Sequence, residues 1–376
     1  MRFRTKLVIN LETFAHNLEK IKTIAPKAEP ILMVKADGYG HGATALAQYA
    51  HHELGHDNFG LATLGEAIRL REDCPDAEFE TYVFSDIQLK LKDHAETYLN
   101  NRLLPIISNR SDLNIVLARS EYKHFPLCLK FNTGMNRLGF EMDEIDEVIN
   151  EIKKAGRKSV YHLMTHFACA SLSMKTNPRN LLQLKNWNIL KDAFSNSGLD
   201  VERTSISNSG AIEQGVGVEE THIRPGLMLY GPSSLLPNIK DQGHYQGELI
   251  SRLETYILNT FQVKQGTPVG YGAHPVPRDG LVVIIALGYG DGFSNYYRRG
   301  TIMQHGFQGE IIGRVNMDMT YLLFPPEAES ILEAQMPFTV WDHNSEKFEK
   351  FCAEIQTIPY EVFCHLTSRV PRFYEK

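Results

Sequence analysis

The sequence has few cysteines and no pair of them at the spacing of a zinc site or a redox motif. Its five cysteines, Cys74, Cys128, Cys169, Cys352 and Cys364, are scattered along 376 residues. This distribution favours reduced thiols in a cytoplasmic protein. Cysteine and histidine do not cluster at metal-ligand spacing either. The sequence therefore predicts neither a disulfide framework nor a bound metal.

Long apolar runs and an excess of basic residues are also missing. No stretch reaches the roughly 18 residues that a bilayer-crossing helix requires. The opening MRFRTKLVINLETF lacks the apolar core of a signal peptide. Since 39 Lys and Arg face 45 Asp and Glu, the net charge is −6. We therefore expect a soluble, cytoplasmic protein that binds neither membranes nor nucleic acid.

The first two thirds of the chain alternate short apolar runs with amphipathic stretches at 42–50, 65–73, 110–119 and 142–156, and another within 86–100. The runs with strand character are residues 31–35, 59–63, 81–86, 103–108, 126–132, 160–166, 203–209 and 222–231. Strands that alternate with helices form parallel sheets, and this number of strands favours a closed (β/α)8 TIM-type barrel. A doubly wound open sheet is the alternative, because alternation alone does not fix closure.

The pattern changes to mainly β near Glu248, after a connector rich in Pro, Gly, Asn and Asp at 235–247. A chain of 376 residues is long enough to form two domains. We predict a barrel over residues 11–240 and a mainly β domain over 248–376. A strand within about residues 1–10 is assigned to the second domain, because it precedes the barrel pattern.

Polar side chains stand where the predicted barrel strands end, which is where such barrels carry function. They are Lys35, Lys130, Arg137, His166, Asn208, Ser209 and Arg224. Lys35 ends the apolar run ILMV, and an amine at this place can be desolvated and lose its proton, as a Schiff-base lysine must. A lysine that simply extends out of the barrel mouth would have the same spacing.

Two glycine-containing junctions, SNSGAI at 207–212 and RPGLMLYG at 224–231, let backbone N–H groups approach an anion closely. Because Ser209 adds a hydroxyl, the two junctions predict a phosphate cradle, with two plain turns as the alternative. Arg137 lies in the segment KFNTGMNRLGF and suits a carboxylate, which a guanidinium binds through two parallel bonds. A surface arginine in a loop would look the same.

Motifs along almost the whole chain resemble those of alanine racemases. VKADGYGHG resembles the cofactor-lysine signature of that family, and KFNTGMNRLGF resembles its substrate-arginine segment. THFA, SNSGA and IRPGLMLYG follow in order, and VGYGA, GYGDG, GRVNMDM and YEVFCHLTSRVPR continue in the second domain. The resemblance implies a pyridoxal-phosphate-dependent racemase that converts L-alanine to D-alanine for peptidoglycan.

The resemblance also implies a base on each face of the substrate, since one base removes the α-proton and the other returns one. Lys35 would hold the cofactor and act on the D side, and Tyr271 of VGYGA would act on the opposite face. In this family the residues matching Tyr271 and Met317 reach the site from the partner subunit. A head-to-tail homodimer with shared active sites is therefore implied.

The remaining implied roles concern the cofactor and the substrate carboxylate. They are phosphate binding for Tyr39, Ser209, Gly226 and Leu227, contact with the pyridine nitrogen for Arg224, carboxylate binding for Arg137 and the Met317 backbone, and support from His166, Lys130 and Asp318. His166 would contact the tyrosine base and Arg224. Lys130 matches a lysine that is often carbamylated in the family and orients the substrate arginine. Asp318, in NMDM, is interpreted as a turn or support residue.

The sequence departs from the family pattern near the mouth of the site. Ser368 stands where a tyrosine often precedes RVPR, and Ser171 stands where an acidic residue often follows HFA. Asn295 and Asn316 replace a frequent arginine and cysteine. These smaller, less charged side chains lead to the hypothesis that serine or basic amino acids are also substrates, with ordinary drift as the alternative.

Two other functions are compatible with the cofactor. A decarboxylase of the ornithine type favours an acidic residue at the pyridine nitrogen, and Arg224 argues against it. A non-catalytic pyridoxal-phosphate-binding protein resembles the barrel alone, so that the second domain with Tyr271 and Met317 would have no explanation.

Overall fold

The computed structural model describes residues 3–90 and 94–376. Strand β1 (Lys6–Asn10) passes directly into helix α1 (Leu11–Ile24). Asn10 caps this helix, because its side-chain oxygen accepts a hydrogen bond from the Thr13 backbone N–H at 2.6 Å. The apolar positions of α1 recur every three or four residues and are buried. This face packs the helix against the barrel.

Short parallel strands follow one another around a ring. They are β2 (Glu29–Pro30), β3 (Leu32–Met33), β4 (Asn58–Thr63), β5 (Glu80–Asp86), β6 (Leu103–Ile107), β7 (Cys128–Lys130), β8 (Ser159–Met164), β9 (Asp200–Ser205) and β10 (His222–Ile223). β3 to β9 form one sheet in sequence order, and β2, which runs on into β3, pairs in parallel with β10. Beyond β9, the Arg224 backbone N–H donates to the Ser207 carbonyl at 3.1 Å. The ring is therefore closed, which confirms the predicted (β/α)8 barrel over the open sheet.

Helices and two five-residue turns, α2 and α9, connect these strands. They are α2 (Lys35–Tyr39), α3 (Ala43–His52), α4 (Leu64–Asp73), α5 (His94–Asn100), α6 (Arg110–Ala118), α7 (Ile145–Lys154), α8 (Pro178–Ser197) and α9 (Ser209–Glu213). The helices predicted at 42–50, 65–73, 110–119 and 142–156 are confirmed as α3, α4, α6 and α7. Of the helix predicted within 86–100, α5 is the part that is described, and residues 91–93 lie outside the described residues.

The second part of the chain is mainly β. Its elements are β11 (Ser251–Val263), β12 (Pro268–Val269), β13 (His274–Pro275), β14 (Gly280–Ile285), β15 (Thr301–Gln304), β16 (Phe307–Ile312), β17 (Thr320–Phe324), β18 (Pro337–Trp341), α10 (Ser345–Glu354), α11 (Pro359–His365) and β19 (Arg372–Glu375). One sheet has the order β15-β16-β17-β14-β11-β1-β19, and β18 also pairs with β11. β1 thus lies between β11 and β19, so residues near both ends of the chain meet in this sheet. The limits given above for the two domains stay predictions.

Some expectations about single elements were wrong. The strand predicted at 222–231 ends at Ile223, and Leu227–Tyr230 forms a 3-10 turn instead. Pro225 and Gly226 explain the break, since proline cannot donate to a strand ladder and glycine weakens a strand. The end of the chain also has more helix than expected, in α10 and α11. None of the helices in residues 3–90 and 94–376 has the length and hydropathy needed to cross a membrane.

Candidate active site

A cavity of about 360 Å³ opens at the carboxyl end of the barrel strands. Several residues singled out in the sequence, at the rim or through the family resemblance, line this cavity: Lys35, Tyr39, Lys130, Arg137, His166, Asn208, Ser209, Arg224, Gly226 and Leu227. They come from the loops after five different strands, β3, β7, β8, β9 and β10. Barrel closure is therefore what brings together side chains that are distant in the sequence.

Lys35 begins a turn with an uncommon backbone conformation. Ala36, Asp37 and Tyr39 all have positive φ values, between 51° and 53°, in the left-handed region that costs a side-chain-bearing residue about 1 kcal/mol or more. Two carboxylates hold the turn. Glu66 accepts the Ala36 backbone N–H at 2.8 Å, and Asp37 accepts the backbone N–H at the start of α3 at 3.0 Å. The strain is thus offset by bonds from the neighbouring helices.

The Lys35 amine loses its proton more readily than an exposed lysine. Burial lowers its pKa, and the nearby Arg137 guanidinium lowers it further, while Glu66 acts in the opposite direction. Its Nζ atom lies 6.0 Å from the centre of the Tyr39 ring. A partly desolvated amine with a lowered pKa has the character of a lysine nucleophile or base.

Arg224 lines the cavity and is buried. It donates to the Ser205 hydroxyl and to the carbonyls of Thr165 and Ile206. All these partners are neutral, and burial lowers the pKa of Arg224 to about 9. His166 is beside it, with Nε2 at 3.3 Å from the Asn208 amide nitrogen.

Lys130 adds a further cation to the same cavity. Burial, Arg137, Arg224 and Lys35 together lower its pKa to about 8. The same factors of burial and neighbouring cations, with Arg224 first among the cations, hold the pKa of His166 well below its usual value. The described lining contains four Lys or Arg side chains and no carboxylate. The cavity therefore has the electrostatic character of a site for anionic ligands.

One end of the cavity is rich in hydroxyls. Ser209 accepts the Gly226 backbone N–H at 2.9 Å, and a Cβ atom added to Gly226 would come within 2.6 Å of the Tyr39 hydroxyl. A larger residue at position 226 would therefore have to displace the Tyr39 hydroxyl. Burial raises the pKa of Tyr39, so that this phenol stays protonated and can donate to an oxyanion. We call this region, formed by Tyr39, Ser209 and Gly226, the hydroxyl end.

Sequence reasoning missed two residues of this region, Ser234 and Tyr360. Both line the cavity, and their hydroxyls are 3.3 Å apart. Tyr360 comes from α11 of the second domain, and its ring centre is 5.8 Å from that of Tyr39. Tyr360 is the first residue of the motif YEVFCHLTSRVPR, but its spacing in the sequence does not show that it reaches the cavity. Ser368 lies on an exposed turn and is not among the residues that line the cavity.

Tyr271 and Met317 do not line the cavity of their own chain. Tyr271 is 72% exposed at the tip of the hairpin β12–β13, between Gly270 and Gly272, which both have positive φ. Met317 is 52% exposed, and its carbonyl accepts the Gly290 backbone N–H at 2.8 Å. Both side chains are therefore presented outward by the β domain rather than toward Lys35.

The other residues singled out in the sequence take varied positions. Asp318 makes ion pairs with Arg4 and with Arg369, the latter at 2.8 Å, so it joins two distant segments. Ser171 lines the cavity, while Asn295 is exposed. The Asn316 carbonyl accepts the Tyr289 backbone N–H at 2.9 Å. Of the four departures from the family pattern, Ser171 is the one that reaches the cavity lining.

Comparison with known families gives matches over nearly the whole chain. The alanine racemase N-terminal domain matches residues 9–234, and the alanine racemase C-terminal domain matches residues 250–374. The alanine racemase of Nitrosomonas eutropha is 30% identical over 375 residues, which cover 97% of each chain. The alanine racemase of Shewanella amazonensis is 32% identical over 366 residues, with 94% of each chain covered.

Solved structures agree with this fold. The alanine racemase from Streptomyces lavendulae superposes with a TM-score of 0.86 at 24% identity, covering 100% of this chain and 97% of the other. The alanine racemase from Acinetobacter baumannii gives a TM-score of 0.84 at 25% identity, covering 99% and 100%. The arrangement of barrel and β domain is thus shared along the full length.

Proposed function

The chain belongs to the alanine racemase family, and we propose that it interconverts L- and D-alanine with pyridoxal 5′-phosphate bound in the barrel cavity. One observation carries the proposal. A partly desolvated lysine, Lys35, shares a cavity with a hydroxyl end and with cations that no lining carboxylate neutralises. A phosphorylated aldehyde that reacts with an amine, and a substrate with a carboxylate, match this lining in charge and chemistry.

The lining fits the cofactor residue by residue. Lys35 would hold it covalently, and Tyr39, Ser209 and the Gly226–Leu227 backbone would hold its phosphate. The close approach of Tyr39 to Gly226 supports this assignment, because an added Cβ would fill the cradle. When bound, the cofactor supplies an electron sink that makes the α-proton of the amino acid acidic.

Arg224 would face the pyridine nitrogen of the cofactor. Its contacts are a hydroxyl and two carbonyls, so a guanidinium without a carboxylate partner would stand at that nitrogen and disfavour its protonation. A weaker electron sink suppresses side reactions such as transamination. The same feature counts against the decarboxylase alternative.

Arg137 would bind the substrate carboxylate, with Lys130 as its support. The pKa of about 8 leaves Lys130 partly neutral near physiological pH, and a neutral amine is the form that reacts with carbon dioxide. We infer that Lys130 is carbamylated, which would place one negative charge among these cations. The carbamate would then orient Arg137 through a charge-assisted hydrogen bond.

The proton transfers need one base on each face. We assign the D side to Lys35 and the opposite face to Tyr271 from a second copy of the chain. The exposed, outward position of Tyr271 and Met317 in their own chain supports this head-to-tail homodimer. His166 would contact the incoming tyrosine in the neutral state that its low pKa dictates, so Arg224 would provide the positive charge near the phenol.

The product suggests the biological use. We infer a cytoplasmic enzyme that supplies D-alanine for peptidoglycan, which the unpaired state of all five cysteines supports. A broader range that includes serine is the second candidate, because the small side chain of Ser171 lines the cavity.

Incorporation of deuterium at the α-carbon, with chiral analysis in heavy water, tests the proposal. The wild-type enzyme should exchange and racemise both enantiomers of alanine. Tyr271→Phe should lose racemisation by about 10²–10⁴-fold, yet still exchange D-alanine with retained configuration through Lys35. Lys35→Ala should exchange neither enantiomer.

The control is Tyr49→Phe in α3, which removes a phenolic hydroxyl outside the cavity. This variant should behave as wild type. Racemisation by Tyr271→Phe at the wild-type rate would contradict the assignment of the second base. Running serine in parallel decides the breadth of the substrate range.

A further inference from the structure

Glu213 is a buried carboxylate that the function described so far does not use. It is the last residue of α9, the turn of helix that begins at Ser209 of the hydroxyl end. Its relative exposure is 0%. Since isolated buried carboxylates are costly, the bonds that retain Glu213 indicate what it does.

Both carboxylate oxygens bind one short segment of chain. The Ser233 hydroxyl donates to Oε2 at 2.5 Å, and the Ser234 backbone N–H donates to Oε1 at 2.7 Å. Among residues 3–90 and 94–376, Glu213 forms no ion pair, and the nearby Lys240 pairs with Glu349. Burial raises the pKa of Glu213 to about 7 even with these bonds. The contacts of Glu213 therefore hold the 233–234 segment in position and do not neutralise a charged partner.

The 233–234 segment leads back to the cavity. The Ser234 side chain lines the cavity, and its hydroxyl is 3.3 Å from that of Tyr360. Burial raises the pKa of Tyr360, so this phenol remains a donor. The Tyr360 ring lies against Tyr39. The first residue of α9, Ser209, thus belongs to the hydroxyl end, and the last residue, Glu213, is connected to that end through Ser233 and Ser234.

We propose that Glu213 is a positioning residue that fixes Ser233 and Ser234 so that the hydroxyls of Ser234 and Tyr360 are held at the hydroxyl end, and thereby sets affinity for the phosphate of the cofactor. The inference rests on the proposed function, since it requires that the phosphate lies at that end. It assigns Ser234 to phosphate recognition and explains why a buried carboxylate is retained beneath it.

The proposal separates two ligands that differ only in the phosphate. Pyridoxal 5′-phosphate and pyridoxal both carry the aldehyde that reacts with Lys35, but pyridoxal has no phosphate. Loss of the Glu213 contacts should weaken binding of the phosphorylated ligand and leave pyridoxal unchanged. A purely structural role in the barrel would weaken both ligands by the same factor.

The experiment measures dissociation constants of both ligands for the cofactor-free full-length protein by absorbance titration. Glu213→Ala should weaken pyridoxal 5′-phosphate about tenfold, the loss expected when hydrogen bonds to one carboxylate are removed. Glu213→Gln, which keeps one acceptor, should lose less. If Glu213→Ala fails to fold, Ser234→Ala, which keeps the backbone N–H that donates to Glu213, should give the same selective loss. Binding of pyridoxal should stay within about twofold for every variant.

Glu220→Gln is the matched control, since Glu220 is also buried but bonds to Trp187 and Lys191 away from the cavity. Equal losses for both ligands, or no loss for either in Glu213→Gln and Ser234→Ala, would overturn the inference. A wild-type protein that does not prefer the phosphorylated ligand would instead contradict the proposed function.

Discussion

At the residue scale, the electrostatics of the cavity are set by buried Lys and Arg side chains that lie close together. The effect on pKa is clearest for Lys130, because burial and three neighbouring cations lower its pKa to about 8. Lys35 is affected in the same direction. An arrangement of this kind costs stability in the absence of anionic ligands, and the cost is offset when phosphate, carboxylate or a carbamate is present.

The charge on Lys130 should therefore destabilise the cofactor-free protein. A lysine whose pKa is lowered in the folded state favours unfolding while it is protonated, and this penalty disappears as pH rises from about 8 toward 10.5. We expect Lys130→Met to raise the free energy of unfolding by about 2 kcal/mol at pH 7 in bicarbonate-free buffer, and by much less near pH 10.

Urea denaturation at the two pH values measures this difference. Bicarbonate should stabilise the wild type and not Lys130→Met, because a carbamate can form only on the lysine. The exposed Lys27→Met is the control and should change stability by less than about 0.5 kcal/mol. Equal stability of wild type and Lys130→Met at pH 7 without bicarbonate would be inconsistent with an uncompensated charge.

Individual site residues differed in how well the sequence alone could identify them. Lys35 and Arg137 lie inside distinctive motifs at strand ends, so their position in the cavity could be predicted. Tyr360 could not be distinguished by spacing, because it reaches the cavity only through the docking of α11 on the barrel. Glu213 was equally hidden, since its role depends on contacts with residues 20 positions later.

At the element scale, the turn of residues 35–39 depends on its neighbour α4. Glu66 completes a capping box with Thr63 at the start of α4, and its carboxylate also accepts the N–H groups of Ala36 and Ala62, both at 2.8 Å. One side chain therefore caps a helix and holds the strained turn that carries Lys35.

Glu66→Ala should consequently affect both stability and the cofactor. We expect the free energy of unfolding to fall by about 2 kcal/mol, the sum of a lost cap and a lost turn contact. Cofactor attachment at Lys35, followed by absorbance, should weaken in the same variant. Glu72→Ala, on the exposed side of α4, should change neither quantity. An unchanged absorbance titration for Glu66→Ala would show that the turn of residues 35–39 keeps its conformation without the Glu66 contact.

The sequence predicted elements where local pattern and packing agree. The alternation of apolar runs and amphipathic helices identified the barrel because each βα unit repeats the same pattern. α8 was missed, since its apolar residues are spread around the helix rather than along one face. Closure between β2 and β10 is a long-range pairing, which no local pattern can establish.

At the scale of the whole molecule, the β domain contributes to the cavity of its own chain and also carries side chains that face away from it. α11 brings Tyr360 to the cavity of its own chain, while the hairpin carrying Tyr271 faces outward. A Cβ atom added to Gly272 would be 3.9 Å from the guanidinium carbon of Arg314, so the hairpin tip lies near the segment that carries Met317. In the homodimer proposed above, these two segments would lie at the interface with the second copy.

Subunit complementation is the most direct measurement of this shared site. Lys35→Ala and Tyr271→Phe chains are co-expressed with different tags, and dimers containing one of each are purified. Because such a dimer has one site with both bases intact, it should recover about half of the wild-type racemase activity, while each parent dimer is inactive. Mixed dimers as inactive as their parents would contradict the account, since both bases would then come from the same chain.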